Sequence, residues 1–515
     1  MALSGLATHT PEQYEVAVEG KKPLKIRIIL FFDGTLNNRI NIEEREKAEL
    51  GQNSESYQDF KTDDANSYDN GRTNIAIMEP HVSDKKQDYA GDYDFVYKHY
   101  IPGQGALTRR KDSIWGYALA IGESGVPRRA EEGINYAVNS ILLDKKIEPQ
   151  RQYIQKLTID VFGFSRGAAT ARYAIHVIFN GRISGVNEDT GDAQYEWQPV
   201  FHRLNRFDFI IAEKAVEVGF AGLYDTVLSY AGSQKIPWTT NALQQRAVAR
   251  AKKVLHLAAA DEHRADFSLH KIKSAVDKGV GEEYFLPGVH SDIGGSYNLA
   301  NEKLLEQLEL SKFDESEIQY MRTSDEGCKD LERNWWGKIS DKTMVIHKGD
   351  PARLKEDRDQ LVKEGWYTEK EITIVDLAWD DLGQATHSML TVFRQGIRSA
   401  YCNIPLKIMA KYARGKDVKL IINSLLEDRA NTILKPERDL RDLEEKIIAY
   451  IDSKCESKPE HWMGVDALIK HPELKSIRHR HFHFSASKWS PGYNPRFEWD
   501  KGTKTYKRKR YYYDA

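Results

Sequence analysis

A chain of 515 residues with 40% hydrophobic and 30% charged content can build a large core and has the texture of a globular chain with two or three structural units. Its 75 basic and 77 acidic residues nearly cancel, so the charge balance gives no reason to expect a nucleic-acid partner. Cys328, Cys402 and Cys455 are odd in number and far apart, which argues against a disulfide framework or a zinc site and fits synthesis in a reducing compartment. The first ten residues lack the basic-then-apolar order of a secretory signal, and no apolar run reaches bilayer-spanning length.

Residues 25–32 (KIRIILFF) read as a central strand that ends in Asp33-Gly34-Thr35-Leu36-Asn37-Asn38. Small and polar residues at the carboxyl end of a buried strand are where α/β folds place binding loops. Here Gly34 or Thr35 is a candidate N–H donor to an oxyanion, and a plain turn is the structural alternative. An aspartyl phosphotransferase of the haloacid-dehalogenase kind would need an aspartate two residues earlier, where this chain has Phe31. Residues 40–72 are polar and acidic and are expected to form a surface insertion. Thr73-Asn74-Ile75 opens a helix. Residues 94–101 (DFVYKHYI) form a second strand, and a helix follows over about 129–143.

Residues 156–162 are a further apolar strand, and a helical pattern runs from Ala168 to about Phe179. Between them sits Gly163-Phe164-Ser165-Arg166-Gly167. A serine between glycines at a strand-to-helix turn has the form of a nucleophile elbow. The tight turn lifts the hydroxyl clear of the sheet, and the Arg166 N–H with the positive end of the helix faces the same point. The pattern alone also arises by chance in glycine-rich turns. The strand before it and the helix after it raise it above chance.

Residues 216–224 form the next strand and end at Asp225. Residues 254–260 end at Asp261-Glu262-His263-Arg264. A short strand over 283–286 leads into Pro287-Gly288-Val289-His290-Ser291-Asp292-Ile293-Gly294-Gly295. Alternating strands and helices predict a mostly parallel sheet with helices on both faces, and three successive strand ends carry acid or imidazole groups. A catalytic serine needs an imidazole to take its proton and a carboxylate to hold that imidazole, in the chain order serine, acid, histidine for this elbow. Ser165, Asp225 and His290 have that order. His263, His481 and His483 are rival bases, and Asp225 could equally be a turn or cap aspartate. Asp292 is a weak metal candidate, since one carboxylate makes a poor cation site. No cofactor is indicated.

From residue 300 the texture changes. Residues 301–322, 390–413 (with a break at Pro405) and 439–450 have helical spacing, and 356–377 is highly charged. The expected organisation is an α/β-hydrolase-like core over 20–300, a mainly helical cap or membrane-facing region over 301–480, and a returning strand with a terminal β-hairpin over 481–515. That final part takes residues 480–485 as a strand, then 496–499 and 505–513 as the hairpin arms.

Four motifs, Phe31-Phe32-Asp33-Gly34-Thr35-Leu36-Asn37-Asn38, Gly163-Phe164-Ser165-Arg166-Gly167-Ala168, Tyr224-Asp225-Thr226-Val227 and Val289-His290-Ser291-Asp292-Ile293-Gly294-Gly295, together resemble a family of bacterial α/β hydrolases. That family includes the type VI secretion lipase effectors of the first class. The resemblance spans residues 31–295. It implies phospholipase A activity on membrane glycerophospholipids with Ser165, Asp225 and His290 as the triad. It also implies delivery into a rival cell's periplasm on the secretion spike protein, and a cognate immunity protein. A soluble-ester carboxylesterase of the same fold, with no role in secretion, is the alternative.

Overall fold

The computed structural model describes residues 18–60, 67–113, 124–186, 193–228, 243–297, 314–317, 321–322, 351–379, 385–392, 394–453, 457–484, 497–500, 505–508 and 510–515. Six apolar runs become one parallel sheet: β1 (Lys22–Phe32), β2 (Phe95–Ile101), β3 (Gln152–Phe164), β4 (Val216–Tyr224), β5 (Ala251–Ala259) and β6 (Gly281–Leu286). Their order is β2-β1-β3-β4-β5-β6. Phe32 pairs with Gly163, Phe164 with Tyr224 and Tyr224 with Leu257, so the carboxyl ends of the central strands lie on one edge. The chain leaves β1 for β2 on one side and returns for β3 on the other. The switch therefore falls between β1 and β3, where open α/β sheets place their sites.

Side chains alternate across β1 as strand geometry requires. Ile28, Leu30 and Phe32 join the core under helices α1 (Val126–Leu142) and α2 (Arg166–Asn180), a core drawn from residues 24–280. Ile29 and Phe31 face the opposite way, into a core shared with α3 (Asn403–Arg414), α4 (Arg438–Asp452), Trp462 and α5 (Leu474–His481). A buried pair joins sheet and second cover. Arg27 Nε lies 2.6 Å from Asp160 Oδ2, and its Nη2 and Nη1 donate to the carbonyls of Val418 (2.8 Å) and Lys419 (3.1 Å).

Several expectations change. Residues 40–72 are no plain surface insertion: helix Arg39–Glu49 buries Asn41, Ile42, Glu44 and Arg45. Hydrogen bonds substitute for apolar contact there. Asn41 Nδ2 donates to Ser67 Oγ and to the Leu107 carbonyl, and Arg45 Nη1 donates to the Tyr68 carbonyl. The helix expected over 301–322 falls mostly outside the described residues. Within it, Asp314–Glu317 is a strand antiparallel to Arg394–Arg398, and Met321–Arg322 pairs with Ala385–Val392. The latter strand also pairs with Ile372–Trp379.

Of the helix read over 390–413, sheet partners take the backbone up to Arg398, and a 3-10 turn over Ser399–Cys402 leads into α3 at Asn403. Pro405 sits in its first turn, where a missing N–H breaks no helical bond, and no kink is needed. Residues 480–485 were expected as a strand, yet α5 runs through His481; its last turn carries Arg478, His479, Arg480 and His481, which suit the negative end of a helix. The hairpin pairs Phe497–Asp500 with Thr505–Arg508. Tyr512–Asp514 leaves it to run parallel to Leu269–Lys271. Among the described residues, no helix is long and apolar enough to cross a membrane.

Candidate active site

The elbow forms where β3 stops and α2 begins. Ser165 has φ 58° and ψ −128°, outside the regions that L-residues favour, and its N–H is held by the Tyr224 carbonyl at 3.0 Å. The flanking glycines are demanded by backbone, not by flexible side chains. A Cβ on Gly163 would lie 2.5 Å from the Ala168 Cα, and one on Gly167 would lie 2.2 Å from the Asp33 carbonyl oxygen. The second contact also shows why elbow and β1 loop are neighbours.

That loop is organised by Asp33. Its Oδ1 accepts from the Gly34 N–H (2.7 Å) and the Thr73 hydroxyl (2.6 Å), and its Oδ2 accepts from the Tyr100 hydroxyl. Burial pushes the Asp33 carboxyl up to about 6 against the pull of these donors. Of the two candidate oxyanion donors, Gly34 is thus committed to Asp33. Thr35 lies beside the elbow, and its Oγ1 accepts from Arg166 Nε at 2.6 Å.

β4 delivers Asp225 and the loop after β6 delivers His290, in the short helical turn His290–Gly294. His290 Nδ1 lies 2.5 Å from Asp225 Oδ2, and its ring sits 4.6 Å from that of Phe164, the residue before Ser165. Gly294 lets Phe164 approach, since a Cβ there would fall 2.0 Å from its ring. Asp225 is fully buried and also accepts from the Ala259 N–H at 2.8 Å. Burial alone would raise its pKa; the Arg510 guanidinium, with help from His290, holds it well below the carboxylate range. Burial draws the His290 imidazole below its ordinary value, with Asp225 pulling the other way.

The rival histidines are engaged elsewhere. His263 Nδ1 is 3.3 Å from the Asp261 carbonyl, His481 faces Glu437 and Asp439, and His483 Nδ1 is 2.8 Å from Asp292 Oδ1. Asp292, the weak metal candidate, is held by hydrogen bonds within the fold. Its Oδ2 accepts from the Val289 N–H, and with His483 it ties the His290 loop to the chain after α5. Among the described residues, potential metal ligands gather instead at Glu437, Asp439 and His481. There the Arg398 and Arg480 guanidiniums already pair with the two carboxylates, which opposes a cation.

Two features escaped sequence reasoning. Glu262 is buried, binds Arg264 and accepts from the His290 N–H at 3.2 Å; Arg264 holds its carboxyl well below the usual range against burial. Arg510 is the other. It lies in the run Lys507-Arg508-Lys509-Arg510, whose sequence signal is that of a solvated basic stretch.

A parallel sheet with a serine at a strand-to-helix turn, and an acid and a histidine at later strand ends, defines the α/β-hydrolase class. Within it, the profile of the type VI secretion phospholipase effector family (Tle1-like, catalytic domain) matches residues 26–321, and the chain belongs to that family. In solved structures the fold is similar to that of the Tle1 effector bound to the VgrG spike of the type VI secretion system. The TM-score is 0.53 at 21% identity, over 96% of this chain and 94% of that one. An uncharacterized protein from Pseudomonas aeruginosa (TM-score 0.31, 19% identity, 56% of this chain and 43% of that one) is a far weaker likeness. So is a thermophilic esterase from Thermogutta terrifontis (TM-score 0.21, 12% identity, 56% and 82%), and neither carries weight. No curated protein matches the chain closely enough to count as a relative.

Proposed function

We propose that the protein is a serine-dependent phospholipase A that cleaves acyl esters of membrane glycerophospholipids through an acyl-enzyme. The observation that carries this reading is the hydrogen bond between His290 Nδ1 and Asp225 Oδ2, beside the strained Ser165 turn. His290, held as the Nδ1–H tautomer by Asp225, uses Nε2 to take the Ser165 proton as Oγ attacks the acyl carbonyl. The N–H groups of Arg166 and Thr35 receive the oxyanion, Gly34 being bound to Asp33. His290 then protonates the departing lysophospholipid oxygen, and a water activated by the same imidazole releases the fatty acid and restores Ser165.

Family membership supports the lipid substrate and export by the type VI system. The likeness to a spike-bound effector supports carriage on a spike protein. Delivery to a target cell's periplasm and protection of the producer by an immunity protein belong to the same reading. The test is fatty-acid release from phospholipid vesicles by purified Ser165→Ala beside the parent, with fluorophosphonate labelling of both. Release should drop by about 10⁴-fold or more, with label lost. Undiminished release, or label at another residue, would sink the assignment.

A further inference from the structure

We propose that Arg510 is a positioning residue of this reaction: its two-pronged ion pair fixes the Asp225 carboxylate that orients His290, so a residue outside the matched catalytic domain completes the site. The inference rests on the serine-hydrolase reading above.

Each Asp225 oxygen has two donors. Oδ1 accepts from the Ala259 N–H (2.8 Å) and Arg510 Nη1 (2.7 Å); Oδ2 accepts from His290 Nδ1 (2.5 Å) and Arg510 Nη2 (2.7 Å). A planar guanidinium that meets both oxygens sets the plane of the carboxylate, and that plane decides where Oδ2 holds the imidazole. The arginine is itself pinned. It is 1% exposed, and it donates from Nε to the Phe267 carbonyl (2.7 Å) and from Nη1 to the Ala259 carbonyl (3.1 Å). Phe267 also packs edge-on against the His290 ring at 4.9 Å. The strand Tyr512–Asp514, parallel to Leu269–Lys271, anchors the backbone just beyond it.

A buried ion pair adds little net stability over apolar side chains of similar volume, so stability alone is a weak reason for this one. Charge supplies a better one. An unpaired buried aspartate favours its proton, and a protonated Asp225 could neither hold Nδ1–H nor stabilise an imidazolium. Two carboxylates, Asp225 and Glu262, and two guanidiniums, Arg510 and Arg264, surround the imidazole.

The test compares the full chain with its Arg510→Gln, Arg510→Lys and Ser165→Ala variants. Fold is checked by thermal melting, and kcat and KM for a soluble short-chain ester are followed across pH. Arg510→Gln should lower kcat about 10- to 100-fold with KM unchanged, a loss of the size seen when the partner of a functional group is removed. It should also move the acid limb of kcat/KM to higher pH, because without the Arg510 charge the Asp225–His290 pair takes up its first proton more readily. Arg510→Lys keeps the charge without the fork, so it should hold the limb near the parent while kcat stays low. Parental kcat and limb in folded Arg510→Gln would overturn the proposal. Should that variant not fold, parental kcat in Arg510→Lys would overturn it equally. An active Ser165→Ala would instead bring down the serine reading, and this inference with it. An inactive Ser165→Ala beside a fully active Arg510→Gln would leave the serine reading standing and remove the arginine's role.

Discussion

The two faces of the sheet are closed in different ways. One face lies under α1 and α2, and its core is drawn from residues 24–280. The other is closed in small part by residues 75–89 and mainly by chain from beyond residue 360, with Trp366, α3, α4, Trp462 and α5 packed on Phe31, Phe162, Phe220 and Leu257. The local cover carries the elbow. The remote cover carries none of the four motifs, yet its part of the chain sends buried arginines back to the sheet, with Arg478 3.3 Å from Asp261 and Arg510 on Asp225. In this fold, motif content and contribution to the site are separable.

Three experiments sharpen that contrast. The largest effect is expected on the local side. Gly167→Ala puts a Cβ 2.2 Å from the Asp33 carbonyl oxygen, and backbone cannot step aside as a side chain can. Loss of all ester hydrolysis is expected, with destabilisation above about 4 kcal/mol measured by denaturant unfolding. A folded, active variant would mean that the β1 loop and the elbow are less tightly joined than described.

On the remote side, Trp462→Ala removes a fully buried indole, at a cost of about 3–5 kcal/mol. If the second cover belongs to the same cooperative unit as the sheet, calorimetry shows one transition shifted downward. Two separated transitions, with the upper one unmoved, would make the covers independent.

The smallest effect concerns the join. Asp225 and Glu262 are held below their ordinary values of 3.8 and 4.5 by Arg510 and Arg264. A carboxyl whose folded value is depressed adds stability that is complete above the unfolded value and is lost as the pH falls below it. The contribution of these two groups should therefore hold down to about pH 4.5 and be lost in more acid solution, so the fall of the urea midpoint below that pH should be shallower in Arg510→Gln. Equal slopes would show that Asp225 does not depend on the arginine.

Much of the local half was legible because its signals are local. A buried parallel strand reads as an unbroken apolar run, and β4 follows residues 216–224 to the residue. The elbow reads from glycines whose need is steric. Legibility failed where polar groups are buried through hydrogen bonds. Asn41, Glu44 and Arg45 look like surface residues until their partners are known. It failed again where pairing across the chain overrides local spacing, as in Ala385–Val392 and Arg394–Arg398. Arg510 lies 285 residues from Asp225, and composition cannot tell a clamp from a solvated cation.

The shared core also dictates an order of assembly. The face under α1 and α2 closes with neighbouring chain, whereas the opposite face has only residues 75–89 nearby and waits for most of its cover on residues hundreds of positions away, and contacts of that range form slowly. Until they arrive, Ile29, Phe31, Phe162 and Phe220 belong to an apolar wall that residues 75–89 only partly cover, the kind of surface on which incomplete chains stick to one another. A fragment cut at the end of the matched catalytic domain would stay in that condition permanently. It should collect in aggregates, and adding the missing half as a separate polypeptide during refolding should draw it back into solution.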